Sequence, residues 1–334
     1  MGNFLDTPIT DKDTEIGDDE GKGMCYGLSA MQGWRSHMED DHVQLLSLSP
    51  DLPHLSLFGV YDGHGGEMVA HYMAKHFPDH LLATNKLTPD QSKVEAQAKD
   101  AFEAALMSID AELRALPDVE SGKDQSGSTA VMTLLSPTHI VCSNTGDSRA
   151  VLSRGGEAVA LSDDHKPDNA IEKERVMAAG GEVKFGRVNG DLAVSRAVGD
   201  FVYKRCETQP PERQAVTAFP EIRAFERDPK DEFVILACDG IWDVMSSQQV
   251  VSKVLDLLQN GRPHKPPPPP GDEDPDAEPP PPPREWDLGA VCEALIDHCL
   301  ELGSRDNMSV IIVLLKPSLK PKPGQEASAA AAAN

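Results

Sequence analysis

The chain has 334 residues, 39% of them hydrophobic and 5% aromatic, with 55 acidic against 31 basic side chains and a formal net charge of −24. That length holds one large domain or two ordinary ones, and the apolar fraction suffices for a sizeable core. The charge argues against a nucleic-acid binder or a polybasic membrane anchor, both of which need clustered cations. No apolar run approaches the ~18 residues of a membrane span, and the acidic start does not read as a signal peptide.

Residues 1–22 are polar and acidic and read as a tail. Within them MGNFLDT places Gly2 where an N-myristoyl group attaches, although Asp6 stands where Ser or Thr is usual and Thr7 comes one place late. A single acyl chain would anchor only marginally. The expected location is cytoplasmic or nuclear, with weak membrane association only if Gly2 is acylated. After the tail, short apolar runs bounded by Gly, Pro, Asn and Asp predict strands. They are HLSLFGVYD (54–62), GSTAVMTLLS (127–136), THIVCSNT (138–145), SRAVLSR (148–154), EFVILACD (232–239) and NMSVIIVLL (307–315). SRGGE (153–157) predicts a hairpin turn. Two stripes predict helices: Val94, Ala98, Phe102, Ala105, Ile109 and Leu113, then Leu288, Val291, Leu295, Cys299 and Leu302. Asp287 caps the second and Gly303 ends it.

Strands that adjoin one another this often, with few long helices, predict an α+β fold of packed antiparallel sheets with helices outside, in a single domain over 23–316. GRPHKPPPPPGDEDPDAEPPPPPREW (261–286) interrupts it with two runs of five prolines around an acidic patch. Proline supports neither helix nor central strand, so this is an extended surface insertion. It is either a solvated spacer, which its composition favours, or a docking site for an SH3- or WW-type module. Residues 317–334 read as a second tail. The six cysteines include no C-x-x-C pair and several sit in apolar runs, as expected of buried reduced thiols.

Asp-Gly follows directly on an apolar run twice, at Asp62-Gly63-His64 and at Asp239-Gly240, with Asp243 close behind. A carboxylate at the end of a buried strand projects from the sheet edge on a rigid support, and the glycine lets the backbone turn and approach a ligand. Glu39, Asp40 and Asp41, then Asp147 and Asp306, stand in similar places. Any one of them is explained as a turn residue. Converging as a set, they would repel unless cations lay among them, and oxygen donors select hard ions, Mg²⁺ or Mn²⁺. HCLELGSRDN (298–307) offers a competing chemistry, the C-x5-R spacing of cysteine phosphatases at Cys299 and Arg305. The helical stripe puts Cys299 near a helix C-terminus, where the dipole opposes a thiolate, so Asp306 is the expected functional residue there.

GWRSHMED, VYDGHGG, GSTAV, TGDSRAVL, DHKP, EKERVMAAGGEV, RVNGDLAVSRAVGD, ILACDGIWDV and GSRDNMSV follow one another in an order that resembles the protein phosphatase 2C family. These are the metal-dependent serine/threonine phosphatases, also called the PPM family. The resemblance runs from about residue 23 to 315. It implies a sandwich of two antiparallel sheets with helices on both outer faces and a metal cleft at one end. It also implies two Mg²⁺ or Mn²⁺ ions bridged by Asp62, one completed by Glu39 and the Gly63 carbonyl, the other by Asp239 and Asp306. Asp40 would hold water at the metals, Arg35 would bind the substrate phosphate, and His64 would protonate the leaving alkoxide. Asp147 and Asp243 resemble the family's weaker third metal site, and residues 165–200 its flap. Phosphoproteins would be the substrates of a monomeric enzyme. A phosphatase-like scaffold, or an adaptor acting through the proline-rich insertion, is the alternative.

Overall fold

The structure is a computed structural model that describes residues 4–261, residues 287–315 and Leu319. The proline-rich insertion beyond Gly261, Gly2 and nearly all of the C-terminal tail lie outside the described residues.

In chain order the longer strands are β1 (Phe4–Asp19), β2 (Met24–Arg35), β3 (Asp41–Leu45), β4 (Ser56–Tyr61), β5 (Ala130–Leu135), β6 (His139–Thr145), β7 (Arg149–Arg154), β8 (Glu157–Ala160), β9 (Glu221–Glu226), β10 (Asp231–Ala237) and β11 (Met308–Leu314). The longer helices are α1 (Met68–Ala83), α2 (Val94–Arg114), α3 (Ala170–Ala178), α4 (Ser247–Asn260) and α5 (Leu288–Glu301). One antiparallel sheet has the order β1-β2-β11-β10-β7-β8 and the other β9-β6-β5-β4-β3. Among the described residues, no helix is long and apolar enough to cross a membrane.

The central strands are apolar without alternation because both their faces are covered. In β10, Phe233, Ile235 and Ala237 point to the layer of α4 and α5, while Val234 and Leu236 point between the sheets. In β4, Leu57 and Tyr61 face the layer of α1 and α2, and Phe58 and Val60 fill the space between the sheets. A strand that serves two cores reads as a continuous apolar run rather than a period of two. The expected sandwich with helices on both outer faces is the fold observed. The stripe of α2 is buried from Val94 to Leu113. Asp287 caps α5 by accepting from the Ala290 amide at 2.8 Å, and Gly303 beyond the helix takes a left-handed φ of 97°.

The expected N-terminal tail is corrected by the structure: residues 4–19 form β1, hydrogen-bonded along β2 with Asp13 opposite Ala30 and Asp19 opposite Met24. The strand gives no apolar signal because the backbone ladder holds it; Phe4, Ile9 and Ile16 stay largely exposed. Its register shifts on either side of Ile9, next to Pro8, which cannot donate to a ladder. Residues 165–200 include α3 and a small apolar cluster of Val176, Val188, Val194 and Ala197 with Ala215 and Val216. Glu172 is the polar centre of this region, paired with Arg175 at 2.6 Å and Arg196 at 2.7 Å.

Candidate metal centre

The sheets end together at one rim, and there the strand-end carboxylates meet. Asp62 follows β4 and is fixed through its backbone: its carbonyl accepts from the Thr129 amide at 2.9 Å, and its amide donates to the Thr129 hydroxyl at 3.3 Å. Asp239 opens a single helical turn, Asp239–Trp242, after β10. Carboxylate oxygens of Asp62, Asp147 and Asp239 lie within 4.8 Å of one another, as do donor atoms of Asp40, Asp62 and Cys238.

The glycines after the two aspartates are explained by close approach and not by a turn. Neither has a positive φ. A Cβ on Gly63 would stand 2.2 Å from the Glu39 carbonyl oxygen, and one on Gly240 would stand 2.1 Å from the Asn307 carbonyl oxygen. Any side chain at either position would push apart the segments that carry Glu39 and Asp306. Glu39 is held further, since its Oε1 accepts from the Gly66 amide at 2.7 Å. Asn307 ties the remaining loop down: its Nδ2 donates to the carbonyls of Gln32 (2.8 Å) and His37 (3.0 Å), and its Oδ1 accepts from the Glu39 amide at 2.9 Å.

The electrostatics fit a divalent cation. Withdrawal from water, then the charges of Asp239, Asp40, Asp147 and Asp306, hold the Asp62 carboxyl well above its ordinary pKa. Asp239 is raised likewise, by withdrawal from water and then by Asp147, Asp306 and Asp243, with Lys166 opposing. Burial lifts Asp40 to about 7 although the Ser309 hydroxyl bonds its Oδ2 at 2.7 Å, and its Oδ1 is buried with no hydrogen-bond partner. Asp243 is raised by the same withdrawal from water. Burial and the same carboxylates keep the Cys238 thiol protonated, leaving an oxygen donor set suited to a hard ion.

Arg35, His64 and Lys166 border this cluster. The Arg35 Nη2 donates to Asp306 Oδ2 at 2.5 Å, so the residue expected to bind phosphate is paired here with a candidate ligand. Lys166 pairs with Asp147. His64 Nε2 lies 2.7 Å from Asp200 Oδ2. Withdrawal from water works against the His64 charge, but Asp200, then Asp147 and Glu39, outweigh it and raise its pKa. Asp200 is buried and has a φ of +51°, a left-handed backbone that Asp tolerates better than most residues. Sequence reading missed Lys166, Asp200 and Asn307 as parts of the site. DHKP, AVGD and RDN were in view, but nothing local assigns them partners across the fold.

Cys299 is fully buried on α5, with its Sγ 3.7 Å from the Met245 sulfur and its thiol pushed up to about 12 by burial. Its neighbours among the described residues are apolar core side chains and not an anion loop, so the C-x5-R spacing is a coincidence. Cys299→Ser should cost about 1–2 kcal/mol of stability through a buried hydroxyl while turnover per folded molecule stays intact. Unfolding curves paired with active-site titration check this; an inactive protein that melts normally would restore the cysteine reading.

An antiparallel sandwich whose strand-end carboxylates converge at one rim, with an arginine and a histidine beside them, is an arrangement able to hold a divalent cation next to an anionic group. A model of the family described as Protein phosphatase 2C matches residues 24–308. Mouse Protein phosphatase 1B is 41% identical over 333 residues, covering 98% of this chain and 78% of that protein. Bovine Protein phosphatase 1A is 41% identical over 325 residues, covering 97% and 78%. The crystal structure of a phosphatase from Toxoplasma gondii superposes with a TM-score of 0.71 at 26% identity, over 95% of this chain and 98% of that one. The chain belongs to the protein phosphatase 2C family and is a serine/threonine protein phosphatase. The family is metal-dependent, and the acidic clusters are where this chain can hold a metal.

Proposed function

We propose that the enzyme hydrolyses phosphoserine and phosphothreonine in proteins with two divalent cations, Mg²⁺ or Mn²⁺, held by Asp62, Glu39, the Gly63 carbonyl, Asp239 and Asp306. Asp147 and Asp243, with Asp239, would hold a weaker third. The observation that carries this reading is the convergence of Asp62, Asp147 and Asp239 within 4.8 Å beside the unpartnered Asp40 oxygen. Such cations supply neutralisation of the carboxylates, orientation of the phosphate and a water of lowered pKa. The chain's own residues do the rest. Asp40 turns its free Oδ1 to the attacking water and takes a hydrogen bond from it. Arg35 leaves Asp306 and forks onto the phosphate oxygens, a geometry its planar guanidinium favours. His64, oriented by Asp200, gives a proton to the departing serine or threonine oxygen.

The substrates are phosphoproteins, the enzyme acts as a monomer in the cytoplasm or nucleus, and the proline-rich insertion is a spacer that an SH3- or WW-type module is able to read. Exhaustive chelation with EDTA should abolish hydrolysis of a phosphothreonine peptide, and excess Mg²⁺ or Mn²⁺ should restore it. Full activity after chelation would end the metal reading.

A further inference from the structure

The strand mistaken for a tail brings its first described residue to the rim of the cleft. Phe4 stands opposite Arg35 in the β1–β2 register. Its ring centroid lies 6.0 Å from the Arg35 guanidinium carbon and 5.8 Å from that of Arg305, which is also 5.9 Å from the Trp34 ring. Phe4 is 51% exposed. With Arg35, Asp243, Arg305 and Asp306 it lines a depression of about 250 Å³. Arg305 is exposed, and no carboxylate of the described residues forms an ion pair with it, unlike Arg35, Arg149, Arg154, Arg175, Arg196 and Arg223.

We propose that Phe4, Trp34 and Arg305 form a subsite for an acidic side chain of the substrate, one to three residues from the phosphorylated position. This rests on the reading that Arg35 takes the phosphate. A guanidinium placed over two aromatic rings is attracted to both through its positive charge and keeps N–H donors free to bind a carboxylate bidentately. The rings also restrict the side chain before substrate arrives, so less freedom is lost on binding. Arg35 and Arg305 flank the same ring, which puts their guanidinium carbons no more than about 12 Å apart; an extended peptide advances about 3.3 Å per residue, which sets the one-to-three spacing. The net charge of −24 repels acidic peptides at long range. A preference for them must therefore arise at contact, at a cation that forms no ion pair among the described residues.

The test uses the full-length enzyme and phosphoserine peptides carrying a single Asp, Ala or Lys at each of three positions on either side, with p-nitrophenyl phosphate beside them. An Asp on one side should raise kcat/KM roughly three- to tenfold over Ala, mainly through KM, as expected of a charged hydrogen bond at a part-exposed site. Arg305→Gln and Phe4→Ala should flatten that preference, and Arg305→Glu should invert it in favour of Lys. Indifference of the wild type to flanking charge, or a preference that survives Arg305→Glu, overturns the subsite. Arg35→Ala reports separately. If it hydrolyses p-nitrophenyl phosphate like the wild type, the phosphate is not at Arg35 and the anchor of both readings is lost. If it is impaired while Arg305→Glu changes nothing, only the subsite fails.

Discussion

Asp62→Asn should abolish turnover and at the same time raise the melting temperature of the chelated protein. The first half follows from the position of Asp62 between Asp40 on one side and Asp147 and Asp239 on the other. If Asp62 holds the proposed cations, removing its charge would withdraw several kcal/mol of Lewis-acid stabilisation and lower kcat on the order of 10³-fold or more. The second half follows from repulsion. Without cations, Asp62 faces four other carboxylates in a recess that solvates them poorly. A neutral amide of the same shape relieves that, by roughly 1–2 kcal/mol, as when a site shaped for function is relaxed at the cost of activity.

The sign of the pH dependence comes from the same groups. Asp40 in the folded chain titrates at about 7 against an ordinary value of 3.8, and Asp62 and Asp239 are raised as well. Between those values the folded state binds more protons than the unfolded state, so stability falls as pH rises. The chelated protein should therefore melt higher near pH 5 than above pH 7. Mn²⁺ should reverse the slope, and Asp62→Asn should reduce it. Calorimetry across that range, with EDTA and with Mn²⁺, is the measurement; a chelated wild type whose melting temperature ignores pH would mean that the carboxylates are not strained.

Asp200→Asn should cost about a hundredfold on a phosphoserine peptide and little on p-nitrophenyl phosphate, the range expected when a general acid is misplaced. With Nε2 of His64 engaged by Asp200 at 2.7 Å, Nδ1 is the ring nitrogen left to serve the cleft. Serine alkoxide needs a proton to depart, whereas p-nitrophenolate does not. A group that only orients His64 therefore matters for one ester and not the other. His64→Ala should show the same selectivity, and the double variant should be no worse than His64→Ala alone. Equal loss on both esters, or additive losses in the double variant, would detach Asp200 from the proton transfer and make it a structural residue.

Residues whose environment is written into their neighbours were legible before the fold was seen. Asp62 and Asp239 each end an apolar run, and the run itself declares a buried strand. The stripe from Val94 to Leu113 declares α2 in the same way. β2 did not declare itself, because Gly27, Ser29 and Gly33 interrupt an almost wholly buried segment with small residues that carry no pattern. α1 was hidden by Pro78 in its interior. Asp200 meets His64 across 136 residues, and Asn307 meets His37 across 270; contacts of that kind leave no local trace. The Asp-Gly pairs were located correctly, but their reason was not: a neighbouring carbonyl, unseen in the sequence, forbids the side chain. The cysteine spacing misleads for the complementary reason, since a distance along the chain says nothing of burial.

β1 closes one side of the six-stranded sheet, and six of its 16 residues are acidic. A strand in that position offers its outer row of amides and carbonyls to any other chain in extended form, which is how sheets of separate molecules fuse. Here two such rows would meet carboxylate against carboxylate along most of their length, and the register break beside Pro8 further spoils the match. β2 beneath it has no such protection: all but three of its residues are buried, and none of its first eleven is charged. The acidity that first looked like a solvated extension thus works as insulation, and part of the chain's large negative charge keeps its sheets from joining those of its neighbours.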